Sequence, residues 1–196
     1  LNQTHGIPLA AHVLKEAVAR AGVESNEVED IVLGCGLPQG ATGHNIGRTA
    51  ALEAGFDVPG VTVNRYCGSG LTAASMIASR IATGEIACGI AGGVESISLV
   101  QMGIAVDGFF YAPLQARMPA VWWTMNETAD FVAKKYGITR EALDAYVVGS
   151  QQRVQDAYRG GVIQESLVTV ATRSSELGWG LATADEPPRP GATTGA

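Results

Sequence analysis

Cysteine is scarce in this chain. Cys35, Cys67 and Cys88 are its three thiols in 196 residues, and no two of them form a Cys-x-x-Cys pair. That spacing excludes a disulfide framework, argues against a structural zinc site and fits a reducing compartment. Histidine is equally sparse: His5, His12 and His44, none followed by proline. No apolar run approaches the roughly 20 residues that a membrane-spanning helix needs. Basic charge is in deficit, with 13 Lys and Arg against 19 Asp and Glu, a net charge of -6. No basic stripe is present, so a nucleic-acid partner is not expected. Low-complexity tracts and short internal repeats are missing. The first residue is Leu1 rather than Met, so no targeting leader is read from it.

What the chain has is apolar mass and glycine. Hydrophobic residues make up 46% and glycines number 25, enough for a real core with tight turns. Leu9 to Ala21 reads as an amphipathic helix stopped by Gly22. Asn26 is a plausible cap for a short turn through Glu29. Ile31 to Gly34 reads as a strand, followed by a Gly/Pro/Gln loop and a helix from Asn45 to Ala54. Val61-Thr62-Val63 is a buried strand by composition. Gly68 and Gly70 allow a tight turn, and a helix from about Leu71 to Ala82 ends at Gly84. A second apolar run, Ala87 to Ala91, follows. Strands alternating with helices predict a layered α/β domain with a mostly parallel sheet.

That pattern sets Cys67 between a strand and the opening of a helix. Helix N-termini carry unpaired N–H groups and a positive dipole end, which stabilise negative charge. The thiolate is the attacking form of cysteine, and the same amides can hold an oxyanion on an acyl group bound to sulfur. From position alone, a lone cysteine beside a strand is more often a small buried hydrophobe.

After about Ser98 the periodicity weakens. Residues 99–126 read as an irregular excursion with an apolar face, carrying Met102, Phe109, Phe110, Tyr111, Trp122, Trp123 and Met125. Helices are predicted over Thr128–Tyr136 and Arg140–Gly160, and a strand over Val168–Val170. The run from Asp185 to Gly191 is Pro-rich and reads as extended loop. The division expected is an α/β core over 1–98, followed by a loop domain and return segment over 99–196.

Asn64-Arg65-Tyr66-Cys67-Gly68-Ser69-Gly70-Leu71, followed by Ala91-Gly92-Gly93-Val94-Glu95-Ser96-Ile97-Ser98, resembles the acyl-enzyme signature of the thiolases. The spelling is most like the degradative type, the 3-ketoacyl-CoA thiolases. Gly34-Cys35-Gly36 through Arg48, Met125-Asn126-Glu127-Thr128-Ala129-Asp130 and Tyr136 to Glu141 follow in the family's order. So does Asp185 to Pro190.

The resemblance implies a layered α-β-α thiolase domain with a mostly parallel mixed sheet, plus an irregular, helical loop domain. It implies an acetyl-CoA C-acyltransferase acting through an acyl-cysteine on Cys67, in fatty acid β-oxidation, with coenzyme A as substrate and no permanently bound cofactor or metal. Met125 corresponds to a methionine at the active-site wall, and Gly68 and Gly70 to the turn and oxyanion positions. The family's catalytic histidine and second cysteine belong to a C-terminal half whose motifs do not occur here. The chain is therefore expected to be an N-terminal half, its first strand also missing. His5 and His12 are expected at the solvated surface. His44 is a weaker candidate for approaching the site. Cys35 and Cys88 are expected in the core, Glu127 at a helix start, and Arg48, Arg65 and Arg117 in structural pairs. A homodimer or homotetramer is expected, cytoplasmic in a bacterium and mitochondrial or peroxisomal in a eukaryote. The alternatives are a biosynthetic acetoacetyl-CoA thiolase, favoured by the spelling Gly191-Ala192-Thr193, and a non-catalytic thiolase-like binding or assembly module.

Overall fold

The computed structural model describes residues 2–103, 108–174, 177–185, 189 and 191. By contacts the chain divides into two compact units, one of Leu1–Ile104 with Val168–Thr183 and one of Ala105–Leu167 with Ala184–Ala196. The first unit thus includes the expected boundary at residue 98 and takes back the segment after 167. Glu186–Pro188, Pro190, Ala192 and Thr193, on which parts of the sequence reading fell, lie outside the described residues.

The first unit opens with α1, Gly6–Ala21. Its start is fixed by His5, whose Nδ1 accepts the Ile7 N–H at 3.2 Å, and its end by Gly22 in the left-handed region at φ 67°. Ala10, Ala11, Leu14 and Val18 form its buried face. The next short turn, Ser25–Glu27, is capped by Glu24 rather than Asn26. β1 (Asp30–Gly34) is buried along its whole length. α2 (Ile46–Glu53) starts at Asn45, whose Oδ1 accepts the Arg48 N–H. β2 is Gly60–Val63, α3 is Ser69–Ala82 and β3 is Gly89–Gly93.

β1 is the central strand, paired in parallel with β2 on one side and β3 on the other. One apolar cluster joins α1 and α2 to Ile31 and Leu33 of the sheet. A second joins Val32 to Ala73 and Ile77 of α3 and to Ile86. Alternate residues of β1 therefore feed opposite layers. β3 begins two residues later than the apolar run predicts. Glu29 explains the shift: its Oε1 accepts the N–H groups of Ala87 at 2.5 Å and Cys88 at 3.3 Å. The parallel ladder then starts at Gly89 opposite Asp30.

α4 is the short Ile97–Val100. Returning from the second unit, β4 (Val170–Ser174) and β5 (Gly178–Ala182) form an antiparallel hairpin. Sequence reading places the first of these strands two residues early and does not find β5, whose Gly178 and Gly180 weaken a strand signal. Thr4 ties the hairpin to the start of the unit, accepting the Arg173 N–H at 2.8 Å. His12 does the same through Nε2 and the Thr169 carbonyl, 2.8 Å apart. His5 is exposed as expected, whereas His12 is half-buried against the segment that leads into the hairpin.

The second unit holds α5 (Ala112–Arg117), α6 (Met125–Tyr136) and α7 (Arg140–Arg159). Thr124 and Glu127 form a reciprocal capping box at α6, so Glu127 is the helix-start residue expected, and α6 begins three residues earlier than expected. The Thr124 N–H, bonded to this carboxylate, holds it below the usual range. Phe109, Phe110 and Trp122 pack ring against ring at 5.2 to 5.6 Å between centroids.

Asp30 is nearly buried and pairs with Arg80 of α3, while its other oxygen accepts the Ile31 N–H at 2.7 Å. Removing it leaves the partly buried Arg80 guanidinium with Glu85 as its remaining ion-pair partner, at 2.8 Å. Asp30→Ala is expected to lower stability by about 1–3 kcal/mol in urea unfolding. An unchanged midpoint would count against this pair as the tie between α3 and β1.

Candidate active site

The site is the turn that carries the chain from β2 into α3. Asn64 begins it by accepting the Tyr66 N–H on Oδ1 at 2.8 Å. The Gly68 N–H donates to the Arg65 carbonyl at 2.9 Å and the Ser69 N–H to that of Tyr66 at 3.0 Å. Ser69, itself buried, locks the turn from inside. Its Oγ accepts the Arg65 N–H at 2.8 Å and donates to the Tyr66 carbonyl at 2.6 Å. This network holds Tyr66 at φ 47°, a left-handed conformation that costs a bulky residue about 1–3 kcal/mol. The Tyr66 ring is exposed, so its backbone bonds hold it there rather than side-chain packing. Cys67 follows directly and is exposed.

Two strand ends make room for the helix start. A Cβ on Gly34 would overlap the backbone of Ser69 and come within 2.6 Å of the Gly70 nitrogen. A Cβ on Gly93 would meet the Gly34 carbonyl oxygen at 3.2 Å and the Gly70 Cα at 3.8 Å. The first turn of α3 thus lies directly over the C-terminal ends of β1 and β3. Gly68 is the N-cap, and its own N–H is used within the turn. The Gly70 amide is among those a helix leaves unbonded in its first turn.

Beside the turn, the Glu95 carboxylate gathers the loop that leaves β1. It accepts the N–H of Gly36 at 2.7 Å on Oε2, and on Oε1 the N–H of Leu37 and the thiol of Cys35, both at 3.2 Å. Cys35 is buried, and burial with the carboxylate pushes its pKa up to about 11. Cys88 is half-buried against the core. Both fit the core role read from sequence.

Cys67, Gly68 and Gly70 share this one turn. Met125 lies in the other unit, exposed at the first position of α6. His44 is exposed in the loop before α2, with φ 52°. Arg48 is paired with Asp57 at 3.1 Å and also bonds the Val58 carbonyl. Arg65 and Arg117 are exposed and form no ion pair among the described residues, contrary to the pairing expected for them. Sequence reasoning missed Ser69, Tyr66 and Glu95. Ser69 and Tyr66 had a local signal, a non-glycine residue between strand and helix followed by a hydroxyl at the helix start.

Fold and turn define an α/β protein that offers an exposed thiol at a strand-to-helix turn. The family described as "Thiolase, N-terminal domain" matches residues 1–196, and the chain belongs to that family. It is 38% identical over 172 residues to a 3-ketoacyl-CoA thiolase of Bacillus subtilis, covering 87% of this chain and 44% of that protein. It is 39% identical over 175 residues to an acetyl-CoA acetyltransferase of Cupriavidus necator, covering 83% and 44%. A β-ketoadipyl-CoA thiolase of Pseudomonas aeruginosa is 38% identical over 204 residues, covering 94% and 50%. The chain spans about half the length of the curated relatives it matches. No described helix is long and apolar enough to cross a membrane.

The three thiols should separate cleanly by labelling. At neutral pH iodoacetamide is expected to modify Cys67 first, with Cys88 slower and Cys35 protected. Folding holds the Cys35 proton more tightly than the ordinary value of 9.0. The stability this contributes is therefore present below pH 9 and lost as pH rises towards 11, and Cys35 labelling should appear over that same range. Peptide mapping after timed labelling reads both. Preferential neutral-pH labelling of Cys35 or Cys88 would overturn the assignment.

Proposed function

We propose that the protein is a thiolase-type acyltransferase in which Cys67 carries the acyl group, cleaving 3-ketoacyl-CoA to acetyl-CoA and a shortened acyl-CoA. The observation that carries this reading is an exposed thiol on a left-handed turn at the first turn of α3. The Cys67 thiolate attacks the keto carbonyl, and an oxyanion forms. As the carbonyl re-forms, the Cα–Cβ bond breaks and its electron pair leaves with the acetyl-CoA enolate, which takes up a proton. The acyl group remains on sulfur as a thioester. The thiol of a second coenzyme A loses its proton, attacks the thioester and releases the Cys67 thiolate.

Each residue has a distinct part. Gly68 shapes the turn, and Gly70 offers a first-turn amide to the oxyanion. Met125 is assigned to the substrate-contacting set on its motif alone. Coenzyme A enters as substrate, and the scheme calls for no resident cofactor. The proton transfers need an acid and a base, which the resemblance assigns to a histidine and a cysteine of the family's other half. A biosynthetic acetoacetyl-CoA thiolase is the second reading, supported by the comparable likeness to an acetyl-CoA acetyltransferase.

The test is a mass spectrum of the Cys67 peptide after brief exposure of the protein bearing this chain to acetoacetyl-CoA or a longer 3-ketoacyl-CoA. An acyl adduct on Cys67 is expected, its mass matching the shortened acyl group, and Cys67→Ala should abolish it. An adduct on Cys35 or Cys88, or none at all, sinks the reading.

The protein is also assigned a homodimeric or homotetrameric state. Leu71, Met76 and Ile81 of α3 are exposed, Leu71 by 79%. Large apolar side chains exposed on one element favour association. Size-exclusion chromatography with light scattering at micromolar concentration should give two or four copies. A monomer would overturn this assignment.

A further inference from the structure

We infer that Glu95 is a positioning residue for Cys67, acting through the loop that leaves β1. This inference rests on the acyl-carrying role proposed for Cys67, which gives the positioning its purpose. The geometry runs in three steps. First, the Glu95 carboxylate accepts two adjacent backbone N–H groups, of Gly36 and Leu37, and the Cys35 thiol. Charged acceptors make the stronger hydrogen bonds, and two neighbouring amides on one carboxylate fix the loop in both position and direction. Second, the clasped residue lies against the nucleophile turn. A Cβ built on Gly36 would meet Oε2 of Glu95 at 3.0 Å and the Cα and carbonyl carbon of Tyr66 at 3.5 and 3.6 Å. Gly36 is therefore close against the carboxylate, and the Tyr66 backbone lies about one methyl group's width beyond it. Third, Tyr66 is the left-handed residue whose conformation aims Cys67.

Ser69 holds the turn from within, and the clasped loop closes it from outside. Releasing the loop removes the outer wall of a turn whose inner bonds remain, so the segment of Tyr66 and Cys67 can shift outward and carry the thiol away from the start of α3. Ser96, the next residue, serves a separate purpose. Its Oγ donates to the Thr4 carbonyl at 3.1 Å, which ties the segment to the start of the unit rather than to the turn.

The experiment compares Glu95→Gln, Glu95→Asp and Ser96→Ala in the protein that carries this chain. Glu95→Gln places a donor where two backbone donors converge. It is expected to slow alkylation of Cys67 by iodoacetamide about tenfold, since small misplacements of a reacting group carry penalties of this order and larger. Acyl transfer should lose kcat by a similar factor while KM stays unchanged. Glu95→Asp, which keeps the charge, should recover most of the rate. Ser96→Ala should label at the wild-type rate. If Glu95→Gln does not fold, Gly36→Ala tests the same contact, because its new methyl displaces the carboxylate, and slower labelling is expected again. Wild-type labelling rates in folded Glu95→Gln or Gly36→Ala overturn the inference. So does equal slowing in Ser96→Ala, which would mark general loosening. A wild-type protein that is alkylated at Cys67 but accepts no acyl group overturns the proposed reaction instead, and leaves the clasp to be judged by labelling alone.

Discussion

A side chain at Gly34 would occupy space already taken by the backbone of Ser69 and Gly70. This close approach governs the rest of the first unit. β1 is the central strand and lies between β2 and β3. A helix that crosses its C-terminal end without a side chain between them is fixed in height and direction by the sheet itself. Gly93 clears the same path over β3. Each strand glycine costs about 0.5–1 kcal/mol in backbone entropy. The return is a helix N-terminus seated over the strand ends, where open α/β sheets gather their functional groups.

The turn between β2 and α3 is strained, and hydrogen bonds over-determine it. One left-handed tyrosine costs about 1–3 kcal/mol. Against it stand the Asn64 bond, two backbone turn bonds and two bonds through Ser69 Oγ. Each contributes about 0.5–1.5 kcal/mol net. Their sum matches or exceeds the strain, so the turn persists in a conformation the free chain would leave. Tyr66 gains nothing comparable from its exposed ring. The conformation therefore serves the residue after it.

Local signals made much of this legible in the sequence. Cys67 could be placed because a β-rich run, two glycines and an Ala-rich segment sit side by side. The starts of α2 and α7 could be placed near Asn45 and Thr139 because capping chemistry spans three residues. What was not legible depends on distant partners. β3 starts late because Glu29, nearly 60 residues earlier, takes the amides of Ala87 and Cys88. His12 reads as a surface residue until a hairpin 157 residues away supplies the Thr169 carbonyl. Glu95 reads as a motif letter because the amides it binds lie 58 and 59 residues away. No window of sequence contains both ends of such a contact.

Cys35 and Cys67 show how completely surroundings decide what a thiol does. Both stand just past the C-terminal end of a parallel strand, Cys35 after β1 and Cys67 after β2. β1 is central, so its exit lies beneath the loop and the core, and Cys35 is buried with its proton directed at a carboxylate. A negative neighbour and the loss of water both disfavour the thiolate, and the thiol serves as a hydrogen-bond donor that helps fix the loop. β2 is at the edge of the three-stranded sheet, and its exit turns outward over the glycine ends of β1 and β3. There the thiol is exposed to solvent, one residue before the cap of a helix. The same carboxylate touches both outcomes: it holds the Cys35 proton directly and reaches Cys67 only through Gly36 and Tyr66.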